Sequence, residues 1–402
     1  MTIVAAAPSS FAPAELERAQ DPYPLLRRLR AEAPIRRLES GFWAITGYDA
    51  AMEALRHPGC RSNPIAMRYL EGLPPGAARD EMSNRINFLD APDHPRVRGL
   101  VSKAFTPRRI ALLRPWMEAT ADRLLDGLGG REHVNLLRDF AHQLPSLVIS
   151  ELLGVPAGDR DQLTEWSDAV APLLGINVAE DAKTRAVAAA EEFHGYLGEL
   201  LDERRRDLGD DLLSALLTAE ENGERLRRAE LLSLAATLYS AGHRTTRDLF
   251  TNGMSVLLSD TERWRSVVEG RWSVEQTVEE FLRYETPTLF VVRVPLEPVT
   301  IAGTDVGPFE PLLIFLSAAN HDPAVYEAPE TFVPGRNGPP ALSFAYGAHY
   351  CLGASLARSE AETMLGAIVR RWPQLHLDSA RELHWHLRGP FRGLDELIVV
   401  PA

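Results

Sequence analysis

The spacing of hydrophobic positions changes along the chain and separates helical from β-rich stretches. From about residue 107 to 285, and again over about 351–372, apolar residues recur roughly every 3.6 positions, which predicts a succession of helices. Three other stretches, about 34–48, 290–316 and 383–400, are rich in β-branched and aromatic residues and are broken by glycine and proline. These three stretches predict short strands.

The β-rich stretches come from both ends of the sequence, and no change of composition marks a linker between them. We therefore predict a single domain over residues 1–402 that is mainly α-helical with a small β lobe. The longest helical pattern, about 229–258, would extend roughly 45 Å at about 1.5 Å per residue. Because its first half is apolar on nearly every side, we expect this helix to be central and buried.

The acidic composition limits the partners of the protein. Its 402 residues contain 43 Lys+Arg against 56 Asp+Glu, a formal net charge of −13, which argues against nucleic-acid binding. The first residues contain neither a basic leader nor an apolar run that is long enough to span a membrane. We therefore expect a cytoplasmic monomer without membrane contact.

The sequence contains two cysteines, Cys60 and Cys351, which lie far apart. This count argues against a disulfide framework and leaves each cysteine as a free thiol or a metal ligand. Cys351 directly precedes a segment of strong helix formers, so it lies at a helix N-terminus, where the helix dipole favours a thiolate. For a lone cysteine, the usual alternative is burial in the core.

The spacing of Phe344, Gly347, His349, Cys351 and Gly353 resembles the haem-binding loop of cytochromes P450. This resemblance, which covers nearly the whole chain, implies the P450 fold, with the long central helix crossing over a haem b cofactor. It also implies that the Cys351 thiolate ligates the haem iron. We expect Gly347 and Gly353 to make room for the flat macrocycle.

Several charged residues resemble the same family in their order along the chain. Glu280 and Arg283 lie three residues apart on one predicted helix face, a spacing that alone indicates a surface ion pair. Together with Arg336, they resemble the buried triad that supports the haem pocket in the family. The resemblance also assigns four side chains to the haem propionates: His94, Arg98, Arg293 and His349.

The central helix carries a segment that resembles the oxygen-binding groove of the family, and its candidate catalytic residues are Ala241, Gly242, Arg244 and Thr245. By this resemblance the two small residues leave space beside the iron, although close helix packing would also explain them. The Thr245 hydroxyl would supply protons to bound oxygen. Arg244 stands where the family commonly has Asp or Glu, and a guanidinium cannot act as a relay base. We expect Arg244 to turn away into an ion pair with a carboxylate, the alternative being contact with an anionic substrate.

The resemblance implies a haem-thiolate monooxygenase that activates O2 to oxidise a small organic molecule, with electrons from a ferredoxin and its reductase. The high Ala, Arg, Gly and Leu content resembles actinobacterial enzymes that tailor secondary metabolites. Two alternatives remain open: an oxidase that couples, cyclises or cleaves its substrate without oxygen insertion, and a non-catalytic haem protein. The residues that we expect to steer an acidic ferredoxin to the cysteine side are Arg108, Arg109, Arg336 and Arg358.

Overall fold

The structure is a computed structural model that describes residues 15–16, 19–174, 178–221 and 223–401. Helices dominate it and the strands are short, which confirms the predicted mainly α-helical fold with a small β lobe. Among the residues described, none of the helices combines the length and the apolar character that crossing a membrane requires.

The helices of the described chain are α1 Tyr23–Glu32, α2 Tyr48–Arg56, α3 Asn63–Leu70, α4 Ala77–Asn84, α5 Asp93–Ala104, α6 Pro107–Asp126, α7 Gln143–Leu153, α8 Arg160–Val170, α9 Glu180–Arg206, α10 Leu212–Thr218, α11 Arg228–Leu258, α12 Thr261–Val268, α13 Val274–Tyr284, α14 Leu316–Ala319 and α15 Ala354–Arg371. With 31 residues, α11 corresponds to the long helix that the sequence predicts.

The strands are β1 Ile35–Arg37, β2 Trp43–Ile45, β3 Cys60–Arg61, β4 Val134–Asn135, β5 Glu220–Glu221, β6 Glu224–Arg225, β7 Val291–Pro295, β8 Val299–Ile301, β9 Thr304–Val306, β10 Leu312–Ile314, β11 His376–Leu377, β12 Trp385–Arg388, β13 Phe391–Leu394 and β14 Ile398–Val400. Antiparallel hairpins join β8 to β9 and β12 to β13.

The chain divides into two compact units. The first unit contains residues 1–61, 248–351 and 372–402, and the second contains residues 62–247 and 352–371. Each unit therefore draws on separate stretches of the sequence.

A five-stranded sheet organises the first unit. Its strand order is β1-β2-β10-β7-β3, and β10 pairs parallel to β2 and antiparallel to β7. All three residues of β10 are buried: Leu312 and Ile314 belong to one hydrophobic cluster, and Leu313 belongs to another. Because strand residues alternate between faces, this continuous apolar run supplies core residues to both sides of the sheet.

Helices build the second unit, in which α6 packs on α15 and α8 packs on α9. Near the start of α11, the buried Glu230 accepts hydrogen bonds from Arg96 of α5 and from the backbone N–H of Arg227, the latter at 2.8 Å. Although burial opposes ionisation, the hydrogen bonds from Arg227 and Arg96 hold the pKa of Glu230 down to about 2. The ionised carboxylate therefore ties α5 to the start of α11.

The hairpin of β5 and β6 lies within the stretch that the hydrophobic pattern predicts to be helical, so that part of the prediction was wrong. Glu220 pairs with Arg225 across the hairpin, both in register and through an ion pair at 2.8 Å. Gly223 supplies the positive φ of +81° in its turn. Strands of two charged residues have no apolar alternation, so no hydrophobic pattern marks them.

Glu280 on α13 is the buried centre of a polar network in the first unit. Its side chain is 3% exposed and accepts hydrogen bonds from Arg283, from Nε at 2.9 Å and from Nη2 at 2.7 Å. Arg336 Nε lies 3.2 Å from both carboxylate oxygens, and the backbone N–H of Val333 donates to Oε1 at 2.8 Å. The predicted buried triad is confirmed, with two guanidinium groups on one carboxylate.

Replacing Glu280 by alanine should lower the free energy of unfolding by roughly 3–5 kcal/mol, because two guanidinium groups in the interior lose their partner. The matched control is Glu279→Ala, at the exposed neighbouring position, which should change the free energy by less than about 0.5 kcal/mol. Urea unfolding followed by tryptophan fluorescence measures both effects. Equal unfolding midpoints for the two variants would contradict this role of Glu280.

Candidate active site

The loop that carries Cys351 closes on itself just ahead of a helix. The backbone N–H of Cys351 donates to the carbonyl oxygen of Phe344 at 3.0 Å, and α15 begins three residues later at Ala354. Phe344 also packs edge-on against Tyr350, with ring centroids 6.3 Å apart. Cys351 itself is exposed, so the alternative of a buried structural cysteine was wrong. A reachable thiol beside the positive end of a helix suits a thiolate ligand.

The two glycines of this loop have different surroundings. Gly347 has a φ of +76°, and a Cβ at this position would lie 2.8 Å from the carbonyl oxygen of Leu55. A close approach of the protein's own backbone therefore accounts for this glycine, and the expectation that it makes room for a macrocycle stays a prediction. A Cβ on Gly353 would meet nothing within 4 Å. The loop is thus open beside Gly353, where a flat group could approach closely.

A chain of hydrogen bonds joins the Glu280 network to the cysteine loop. Arg283 Nη1 donates to the carbonyl oxygen of Asn320 at 3.0 Å, and the Asn320 side-chain amide donates to Ser343 Oγ at 2.8 Å. Asn320 Oδ1 accepts from the backbone N–H of Leu342 at 2.7 Å. The sequence reasoning missed the buried Asn320, because its side-chain partners lie 22 and 23 residues further along the chain.

The four predicted propionate ligands occur two in each unit. In the first unit, Arg293 is buried on β7 with Nη1 2.8 Å from the carbonyl oxygen of Val292, and His349 is half-buried in the cysteine loop. In the second unit, the buried His94 and the half-buried Arg98 lie four residues apart on α5. Their spacing places them on one face of that helix. Each pair offers nitrogen donors of the kind that bind carboxylates.

The predicted oxygen-binding residues of α11 differ in their surroundings. A Cβ on Gly242 would lie 3.2 Å from Ile149 of α7, so close helix packing accounts for this glycine. Ala241 is exposed, and Thr245 Oγ1 donates to its carbonyl oxygen at 2.8 Å. Because these two residues lie four apart, they share one helix face. This face combines a small side chain with a hydroxyl group.

Comparison with known proteins agrees with this loop and its supporting network. Residues 273–382, which contain both, match the family model of cytochrome P450. The whole chain is similar to cytochrome P450 monooxygenase PikC of Streptomyces venezuelae, with 38% identity over 394 residues, 94% of this chain and 91% of that protein. The chain belongs to the cytochrome P450 family. It is a monooxygenase of that family, and its cofactor is haem b.

Solved structures of other P450s have the same fold. The cytochrome P450 PksS of the bacillaene polyketide synthase of Bacillus subtilis 168 is 33% identical, with a TM-score of 0.87 over 98% of this chain and 100% of that one. P450BioI, solved in complex with a hexadec-9Z-enoic acid-ligated acyl carrier protein, is 32% identical, with a TM-score of 0.86 over 97% and 100%. The predicted P450 fold is therefore confirmed.

The residues of this P450 fit the cofactor that the family implies. The exposed thiol of Cys351 would provide an iron ligand, and the open approach beside Gly353 suits a planar macrocycle. When bound, a haem with a thiolate ligand activates dioxygen, because the thiolate donates electron density that favours O–O cleavage. The protein's own contribution includes the network around Asn320, which holds the segment that leads into the cysteine loop.

Arg244 of this P450 forms an ion pair, which confirms the expectation from the sequence. Its Nε lies 3.7 Å from Oδ1 of Asp168 on α8, and the same oxygen lies 3.3 Å from Nε2 of His243. The Arg244 side chain is 23% exposed. The sequence reasoning missed Asp168, which lies 75 residues before His243 and has no motif around it.

Glu360 on α15 is a second titratable residue that the sequence reasoning missed. Its side chain is completely buried, and burial raises the pKa of Glu360 well above its usual range, which the hydroxyl of Thr246 only partly offsets. The folded protein therefore favours the neutral acid. The sequence does indicate that Glu360 is buried, because it lies four residues from both Leu356 and Met364, on the apolar face of the predicted helix.

Glu360→Gln should become more stable relative to the wild type as the pH rises. The folded protein keeps the proton of Glu360, whereas the unfolded chain releases it above a pKa of about 4.3. Wild-type stability should therefore fall by up to about 1.4 kcal/mol per pH unit until the raised pKa is reached, and glutamine removes this loss. Thermal unfolding of both proteins between about pH 5 and pH 9 measures the difference. A difference that does not change with pH would show that the pKa is not raised.

Proposed function

We propose that this P450 activates dioxygen at a haem whose iron is ligated by Cys351, and that it oxidises a small organic molecule. The observation that carries the proposal is the exposed Cys351 thiol, held in a closed turn ahead of α15. The other cysteine does not suit this role. Cys60 is 8% exposed, and burial raises the pKa of its thiol to about 11, so it does not provide the thiolate that metal ligation requires.

The other residues of the proposed site follow from this ligand. We assign the haem propionates to His94, Arg98, Arg293 and His349. Phe344 and Gly353 shape the cysteine loop, and Thr245 holds a hydroxyl next to the exposed Ala241, where it supplies protons during oxygen activation. Gly242 supports this segment by allowing α11 to pack closely on α7.

Cys351→Ala should abolish the strongly red-shifted Soret band that reduced, thiolate-ligated haem gives with carbon monoxide. The matched control is Cys60→Ala, which removes the other thiol and should keep the band, because Cys60 lies within the sheet of the first unit. Absorption spectra of the purified, haem-loaded proteins measure both. A histidine-type carbonyl spectrum in the wild type would overturn the assignment of Cys351.

We infer that the substrate is a secondary metabolite or its precursor, and that oxygen is inserted into it. Similarity to PikC and to PksS of a polyketide synthase supports this role, and the P450BioI complex adds the possibility of a carrier-bound substrate. Arg244 favours one alternative, oxidation without insertion, because the usual acid of the proton relay is replaced. Turnover under isotopically labelled O2 distinguishes the two, since label in the product requires insertion and an unlabelled oxidised product requires coupling or cleavage.

We further propose that a separate ferredoxin delivers the electrons, to a smaller basic patch than the sequence suggested. Arg336 does not belong to it, because its Nε is bound to Glu280 and its Nη1 and Nη2 donate to backbone carbonyls at 2.7 and 2.6 Å. Arg109 is half-buried and lies 3.8 Å from Asp210. The proposed patch therefore relies on the exposed Arg108 together with the half-buried Arg358.

Arg108→Glu combined with Arg358→Glu should slow haem reduction by an acidic surrogate ferredoxin roughly tenfold at low ionic strength. The difference should shrink as salt is added, because screening weakens the attraction. The control is Arg27→Glu combined with Arg28→Glu, which makes the same change in net charge at exposed positions of α1. Stopped-flow reduction measures the rates. Equal rates and salt dependence for the two double variants would exclude the patch.

A further inference from the structure

Asp168 on α8 binds two successive residues of the central helix. Its Oδ1 lies 3.3 Å from Nε2 of His243 and 3.7 Å from Nε of Arg244. Although burial opposes ionisation, the hydrogen bond from His243 and the positive charges around it hold the pKa of Asp168 down to about 2. Asp168 is therefore an anion at neutral pH.

Both ring nitrogens of His243 face oxygen atoms. Its Nδ1 lies 2.9 Å from the carbonyl oxygen of Tyr239, and its Nε2 faces the carboxylate of Asp168. Both oxygens only accept hydrogen bonds. His142, whose ring lies edge-on to His243 at 5.8 Å, is neutral because burial lowers its pKa to about 4. The completely buried His243 ring therefore has the Asp168 carboxylate as its acidic partner.

The turn of α11 that carries these residues needs an anchor outside the helix. Thr245 Oγ1 donates back to the carbonyl oxygen of Ala241, a bond that bends helices and slightly destabilises them. Gly242 in the same turn adds backbone freedom. Successive helix residues point about 100° apart, so fixing the directions of His243 and Arg244 also fixes the direction of Thr245.

We propose that Asp168 is a positioning residue for oxygen activation. By holding His243 and Arg244 against α8, it sets the direction in which the side chain of Thr245 points from α11. The proposal rests on the proposed role of Thr245 in supplying protons. It also assigns a role to Arg244, because its guanidinium group anchors α11 to the carboxylate of Asp168 on α8.

The test compares Asp168→Asn with Asp161→Asn, an identical change at an exposed position of the same helix. In the holoenzyme, hydrogen–deuterium exchange over residues 241–246 should accelerate in Asp168→Asn and stay unchanged in Asp161→Asn. With a surrogate ferredoxin, its reductase and no added substrate, the peroxide released per dioxygen consumed should rise about threefold in Asp168→Asn. The reason is that reduction of dioxygen to water takes up twice as many protons as reduction to peroxide. Asp168→Glu, which retains the charge, should restore most of the wild-type ratio.

A double-mutant cycle separates positioning from a general loss of stability. In a background that carries His243→Gln and Arg244→Gln, Asp168→Asn should add little to the peroxide yield, because its proposed partners are already removed. Full additivity, or faster exchange with an unchanged peroxide yield, would overturn the positioning role. The carbon monoxide spectrum of the wild type reports separately on the proposed function. Absence of the thiolate band from the wild-type spectrum would refute that function. Equal exchange rates and peroxide yields in Asp168→Asn and Asp161→Asn would refute this inference alone.

Discussion

One buried carboxylate sets the position of the cysteine loop. Glu280 is 3% exposed, and burying a carboxylate without hydrogen-bond partners is costly, so it binds Arg283 and Arg336. Arg283 extends the network to backbone carbonyls, and through Asn320 the network reaches the residues that lead into the loop. The segment that leads into the loop also packs in the core, since Leu342 and Ala345 belong to a hydrophobic cluster of the first unit. The position of the thiol therefore depends both on this packing and on polar contacts that begin at a carboxylate more than sixty residues earlier in the chain.

In the second unit, carboxylates that bind arginine side chains likewise hold the helices of the proposed site. Glu230 binds Arg96 and so fixes α5, the helix of the proposed propionate ligands, while Asp168 binds Arg244 on α11. Each of these carboxylates has a low pKa because cationic donors outweigh the cost of burial. Glu360 lies beside a hydroxyl group instead, and burial then prevails and raises its pKa. Between the two buried acids, Glu230 and Glu360, the nearest donors thus decide which acts as a fixed charge and which keeps a proton.

The sequence was sufficient where the determinants lie close together along the chain. Periodicity predicted the long helix, and the spacing around Cys351 predicted its loop ahead of α15. Asn320 and Asp168 escaped prediction because their partners lie 22 and 75 residues away, and periodicity does not report which distant segments meet. Gly347 shows the same limit. Its residue type indicates a close approach, but only the structure identifies the backbone of Leu55 as a group that a Cβ would meet.

The exchange of an acid for Arg244 changes what this part of the helix can do. A carboxylate can accept a proton and pass it on, whereas a guanidinium keeps its protons. Asp168 has no proton to give at neutral pH, since its pKa is about 2, and both ring nitrogens of His243 face acceptors. Asp168 and Arg244 therefore carry fixed charges, and in the proposed role this pair acts through position and charge rather than through proton transfer. Protons for the proposed role of Thr245 would therefore follow a different route, so the proposals separate the anchoring of the helix from the supply of protons.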